Sequence, residues 1–208
     1  MKKLLFFIIS LLFFSCTRES KTPSTLSEEK LINYVNPFIG TGGHGHTYPG
    51  ATMPFGMMQL SPDTRLEGWD GCSGYHYSDV YIYGFSHTHL SGTGVSDYGD
   101  ILLMPTNAIN FHNGADAKKG YRAHFSHKNE EASPGYYRVK LDSTDIEVEL
   151  TVSKRSGIHK YQFPTSNNQI VILDLQHRDK VLDATIEKIS NTQLQGYRFS
   201  DAWAKDQR

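Results

Sequence analysis

Tyr136-Tyr137-Arg138-Val139-Lys140-Leu141, followed after Asp142-Ser143-Thr144-Asp145 by Ile146-Glu147-Val148-Glu149-Leu150-Thr151-Val152, is the stretch that decides the class of fold. In the first run Tyr137, Val139 and Leu141 alternate with Tyr136, Arg138 and Lys140. In the second, Ile146, Val148, Leu150 and Val152 alternate with Glu147, Glu149 and Thr151. Extended chain turns successive side chains to opposite faces, so each run has one apolar face to bury and one polar face for water. Further short runs come at 157–163, 169–175, 182–189 and 193–199, with Ser156-Gly157 and Thr165-Ser166-Asn167-Asn168 as turn chemistry between them. Short alternating runs about ten residues apart predict an antiparallel β-sandwich. Ile170 to Leu173 is continuously apolar, which predicts a strand covered on both faces. There is no internal repeat, and the class is all-β with two packed sheets.

Upstream, from Val35 to about Gly99, the character changes. Glycine crowds Ile39-Gly40-Thr41-Gly42-Gly43, Trp69-Asp70-Gly71-Cys72-Ser73-Gly74 and Ser91-Gly92-Thr93-Gly94. That much glycine interrupts helix and strand alike, so loops and short strands are expected here. A long irregular stretch in a folded domain is normally functional or disordered. Aromatic residues make up 12% of the chain and many lie here, which argues for function.

The first residues read as an address. Met1-Lys2-Lys3, an apolar run from Leu4 to Phe14, then Ser15-Cys16 form the pattern of a lipoprotein signal peptide over 1–16, lipidated at Cys16. The run is shorter than the roughly 20 apolar residues a membrane span needs. Residues 17–30 are polar and read as a tether, which leaves 31–208 for the folded domain. An exported lipoprotein is expected, held at the outer membrane on its periplasmic or cell-surface face. The formal net charge is −1 and no basic cluster occurs, so no nucleic-acid partner is expected. With Cys16 lipidated, Cys72 stands alone, and a buried, inert thiol is expected. After Phe199 the chain runs Ser-Asp-Ala-Trp203-Ala-Lys-Asp-Gln-Arg208 with no closing apolar strand. The expectation is truncation: a sandwich incomplete at its C-terminal end, with an open edge and uncovered apolar surface.

Eight of the ten histidines lie between His44 and His127, two pairs of them as His44-Gly45-His46 and His87-Thr88-His89. On a strand such a pair shares a face and could hold a metal if a third ligand joined it. His76, Asp79, Asp97 and Asp100 are candidates, but their spacing matches no metal motif, so no metal ligands are assigned. The segment from Asp63 to Tyr77 gathers an indole, carboxylates, an imidazole and phenols in one glycine-hinged loop. Sugars are held in this way, by aromatic faces and by polar groups that pair with hydroxyls. Hydrolysis of a glycosidic bond with inversion wants two carboxylates about 6.5–9.5 Å apart. Glu67, Asp70, Asp97 and Asp100 could supply a pair, although an acid in a glycine-rich loop more often caps a turn. No catalytic residue is assigned.

Val35-Asn-Pro-Phe-Ile-Gly-Thr-Gly-Gly-His44-Gly-His46 and Tyr48-Pro-Gly-Ala-Thr-Met-Pro-Phe-Gly-Met-Met-Gln-Leu-Ser-Pro-Asp63 resemble the opening of glycoside hydrolase family 92. So do Gly74-Tyr75-His76-Tyr77 and Gly84-Phe85-Ser86-His87-Thr88-His89-Leu90-Ser91-Gly92. The likeness continues through 100–105 and, more loosely, to 200–206. The resemblance implies calcium-dependent, inverting exo-α-mannosidases acting on mannose-rich glycans, often lipoproteins of gut Bacteroidetes. It also implies a sandwich of the galactose-mutarotase-like, supersandwich type, followed by an (α/α)6 barrel that carries the acid, the base and most calcium contacts. The sandwich would lend sugar-pocket residues: here Trp69 and Asp70, with His87 and His89 adjacent. Alternative readings are a non-catalytic carbohydrate-binding module and a His-rich metalloprotein of the cupin type.

Overall fold

The alternation seen in the sequence becomes strands in the computed structural model, which describes residues 31–203 apart from 117, 166 and 167. The signal peptide over 1–16, the lipidated Cys16 and the tether over 17–30 lie outside the described residues. All the strands belong to the unit that begins at Asn33. In chain order they are β1 (Ala51–Thr52), β2 (Gln59–Asp63), β3 (Tyr81–Ile82), β4 (Gly84–Ser86), β5 (Leu102–Thr106), β6 (Ala123–Ser133), β7 (Tyr136–Leu141), β8 (Ile146–Val152), β9 (Gly157–Gln162), β10 (Ile170–Asp174), β11 (Lys180–Lys188) and β12 (Leu194–Asp201). One sheet runs β1-β2-β4-β5-β10, a second runs β3-β6-β7-β8-β9, and β11 with β12 forms a separate hairpin. Every pairing is antiparallel. No helix among the described residues is long and apolar enough to cross a membrane.

Register explains why the deciding stretch is stable. Val139 sits opposite Val148, Leu141 opposite Ile146 and Tyr137 opposite Leu150. All six are buried, each Leu, Ile or Val contributing about 1.5–3 kcal/mol by leaving water. On the other face Arg138 meets Glu149 and Lys140 meets Glu147, which pairs opposite charges across the strands. Leu60, Phe85, Leu102 and Met104 close the core from the first sheet, where β1 and β2 lie across β8.

One strand was not read from the sequence, and one expectation is corrected. The long strand β6 shows no clean alternation, because its pairing with β7 slips between Phe125 and Glu130. Such a bulge redirects a side chain. Here the carboxylate of Glu130 goes fully inside, where the Tyr75 and Tyr137 hydroxyls donate to it at 3.0 and 2.6 Å and His127 Nδ1 meets it at 2.6 Å. The correction concerns β10. Ile170–Leu173 is not covered on both faces: β10 is an edge strand and Val171 is 45% exposed. Beside it the hairpin leaves Leu182, Ile186, Leu194 and Tyr197 largely open to solvent. The apolar run thus forms an edge strand that is half open among the described residues.

Candidate functional site

The loop that carries His44 and His46 is a tight reversal: Gly45 N–H donates to Gly42 O at 3.2 Å and Thr47 N–H to Gly40 O at 3.3 Å. A Cβ at Gly45 would overlap the Gly40 carbonyl, so only glycine fits between the two histidines. His46 itself has φ 56°, unusual for a residue with a side chain, and is anchored by the Gly92 N–H donating to its carbonyl at 2.7 Å. This geometry sends both imidazoles to one carboxylate. Asp70 Oδ1 lies 2.7 Å from His44 Nδ1 and 3.2 Å from His46 Nε2. The hydrogen bond from His44, helped by that from His46, holds the Asp70 carboxyl below its ordinary range despite some desolvation.

Asp70 sits in a single 3-10 turn, Trp69–Gly71, that also presents the indole. Trp69 is 63% exposed and packs edge-on to the His46 ring, with centroids 5.3 Å apart. Beneath the indole lies Gly94, where a Cβ would collide with the six-membered ring. The turn is tied down from behind. Arg178, buried, donates to the carbonyls of Arg65 and Gly71 and to Ser96 Oγ at 2.9 Å, so one guanidinium pins three loop segments. Cys72 is buried beside the turn with its Sγ 2.7 Å from Thr93 O, and burial pushes its thiol pKa up. Nothing in the sequence singled out Arg178, which lies in a polar connection between β10 and β11 and acquires its role through the fold.

The other expected pair divides. β4 ends at Ser86, so His87 and His89 do not share a strand face. His89 turns inward: Nδ1 is 2.8 Å from Gln59 O, and Nε2 is 3.0 Å from Ser86 Oγ and 3.5 Å from Asp63 Oδ1. Ser86 also hydrogen-bonds Asp63, and His177 Nε2 lies 3.5 Å from Asp63 on its far side. Complete burial alone would raise the Asp63 pKa, but the charges of His89 and His177 outweigh it and hold the carboxyl far below its usual range. A serine, a histidine and an aspartate in contact suggest a nucleophile, yet Ser86 and Asp63 face the same imidazole nitrogen. A catalytic triad puts them on opposite nitrogens. All three groups are also sealed from solvent, so the network holds loops together.

His87 faces the second sheet. Its Nε2 is 3.3 Å from His159 Nε2, its Nδ1 contacts Ile101 O, and the Tyr161 hydroxyl is 2.8 Å from His159 Nδ1. Burial lowers the pKa of both imidazoles, that of His159 to about 3 with help from His87. The remaining candidates are committed elsewhere. Asp79 accepts from Arg65 at 2.6 Å, Asp100 pairs with Arg198, Asp97 is buried, and His76 contacts Ser78 and Gly43. The third partner of the His44 and His46 pair is therefore Asp70, which no spacing rule had nominated for that role. Among the described residues, these three are the group of potential metal ligands that comes together.

Comparison with known proteins identifies the family. Residues 34–208 match the glycosyl hydrolase family 92 N-terminal domain. A family GH92 α-mannosidase from Bacteroides thetaiotaomicron, solved in complex with mannoimidazole, superposes with a TM-score of 0.79 at 39% identity, covering 85% of this chain and 24% of that one. An inverting mannosidase of the same family and organism gives 0.59 at 29% identity over 69% of this chain and 19% of its own. An uncharacterized secreted glycosidase of Arthroderma benhamiae is 29% identical over 162 residues, 71% of this chain and 20% of the relative. The chain thus spans about a quarter or less of the length of these relatives.

Proposed function

Because this chain belongs to glycoside hydrolase family 92, as that family's N-terminal domain, we propose that it forms one wall of the mannose pocket of an exo-α-mannosidase acting on mannose-rich glycans. The observation that carries this is the exposed Trp69 indole, seated on Gly94, beside the Asp70 carboxylate. An aromatic face covers the C–H surface of a sugar, and a nearby carboxylate accepts from its hydroxyls. Asp70 Oδ1 takes both imidazoles, leaving Oδ2 for a sugar hydroxyl. His89 supports the loop from within, and His87 lies along the seam to β9.

The wall does not hydrolyse mannosides unaided. An inverting mechanism needs a carboxylic acid to protonate the leaving oxygen and a second carboxylate to activate water. Asp70 is held ionised, which suits an acceptor and not an acid. The acid and the base come from the (α/α)6 barrel that the family resemblance implies. Calcium, which it implies as well, takes six to eight oxygen ligands. The one ligand group that the described residues gather is two imidazoles and one carboxylate, which does not fit calcium, so that ion is assigned to the barrel. Met1-Lys2-Lys3 and the apolar run before Cys16 support export as a lipid-anchored protein, in keeping with a relative described as secreted.

The test is a titration of the purified chain with mannose and α-mannobiose at millimolar concentration, followed by calorimetry and tryptophan fluorescence. Binding that disappears in Trp69→Ala is expected, with Trp203 kept as an internal reference. No heat and no spectral change in the folded chain would sink the pocket-wall reading. Release of mannose by this chain, abolished by Trp69→Ala, would overturn the assignment of acid and base to the barrel.

A further inference from the structure

We propose that His44, His46 and Asp70 form an open binding site for one divalent transition metal of the zinc class, independent of the sugar reading. Two imidazole nitrogens and one carboxylate oxygen are a donor set that favours zinc and its neighbours over calcium or magnesium. The ligand atoms His44 Nδ1, His46 Nε2 and Asp70 Oδ1 all lie within 4.8 Å of one another. Ligands about 2.0–2.1 Å from a tetrahedral metal stand roughly 3.3–3.5 Å apart. Asp70 Oδ1 is already 2.7 and 3.2 Å from the two nitrogens, so admitting an ion takes a small outward shift of one side chain.

The chain is built to allow that shift at one ligand and resist it at the other two. His46 has a side chain only 8% exposed, its ring braced by Trp69 and its backbone pinned at φ 56°. Asp70 is fixed in the 3-10 turn that Arg178 holds through Gly71 O. His44 is the ligand that can move, its side chain 83% exposed, and a small outward shift from Asp70 admits the ion. Three protein ligands leave the fourth position to water or an incoming oxygen, the arrangement of open zinc centres. Binding needs the coordinating imidazole nitrogens unprotonated, so affinity falls as the solution is acidified.

The experiment uses the full chain, stripped with a chelator, and titrates it with zinc chloride by calorimetry and with cobalt(II) by visible absorption. One zinc per chain is expected, together with the d–d bands of low-coordinate cobalt and a higher unfolding temperature. His44→Ala, at an exposed position that leaves the fold intact, should weaken zinc binding at least about tenfold, as should Asp70→Asn. His124→Ala removes an exposed histidine paired with the single carboxylate of Asp142 and should change nothing. Absence of stoichiometric zinc binding by folded chain overturns the proposal. So does zinc binding that survives both His44→Ala and Asp70→Asn.

Discussion

The meander β7-β8-β9 and the glycine-rich loops between Val35 and Gly99 are held together in different ways. The meander stacks Val139, Leu141, Ile146, Val148 and Leu150 in register and sets Arg138, Lys140, Glu147 and Glu149 on the opposite face. The loops put polar groups inside: Asp63 with His89, His177 and Ser86 at the centre, and Arg178 across two backbone carbonyls and the Ser96 hydroxyl. Non-directional burial tolerates exchange of one apolar side chain for another of like volume. A buried charge network tolerates no missing member, because each group depends on its partner to offset desolvation. That rigidity from polar contacts lets a loop offer an indole and a carboxylate in fixed positions, as a binding site requires.

The comparison predicts how each region breaks. The largest effect is expected at Asp63, where alanine strands His89 and His177 in the interior. Asp63→Ala should cost about 3–5 kcal/mol in urea unfolding, the range for removing one partner of a buried pair. Leu150→Ala in the meander should cost about 2–5 kcal/mol through lost burial and a cavity. The two differ in what rescues them. Leu150→Met should recover most of the loss, whereas Asp63→Leu should not; rescue by Leu at position 63 would mean the network is dispensable.

Acid should loosen the seam where His87 meets His159 of β9. His159 has its folded pKa lowered to about 3, so below about pH 6.5 the unfolded chain takes up protons that the folded chain refuses. Stability from this group is therefore full above pH 6.5 and is lost as pH falls toward 3. Asp63, also lowered, adds a second loss below about pH 4. His159→Phe should flatten the urea midpoint between about pH 6.5 and pH 4. A wild-type midpoint that does not move over that interval would show that the His87–His159 contact is not closed in solution. The smallest effect belongs to Trp69→Ala, within about 0.5 kcal/mol, because an exposed side chain adds little to folding. A much larger loss would make Trp69 a structural residue and weaken its assignment to sugar.

Period-two alternation was enough to place β7, β8 and β9, since each alternating side chain faces either core or water whatever its neighbours do. Glycine content alone marked the irregular half, and the family strings from Val35 to Gly92 named its relatives. The sequence could not show β6, whose bulge hides the alternation by drawing Glu130 inward. Nor could it show that β10 is half open, because an apolar run records what a strand can bury and not what covers it. His-x-His spacing offered two equal pairs. The chain reversal at Gly45 brought His44 and His46 onto Asp70, while the end of β4 sent His87 and His89 apart. Local periodicity determined β7, β8 and β9 by itself, because it depends on neighbours in the chain. Which side chains meet at the site depends on loops closing over long separations, such as Arg178 on Gly71, and only the tertiary structure decides that.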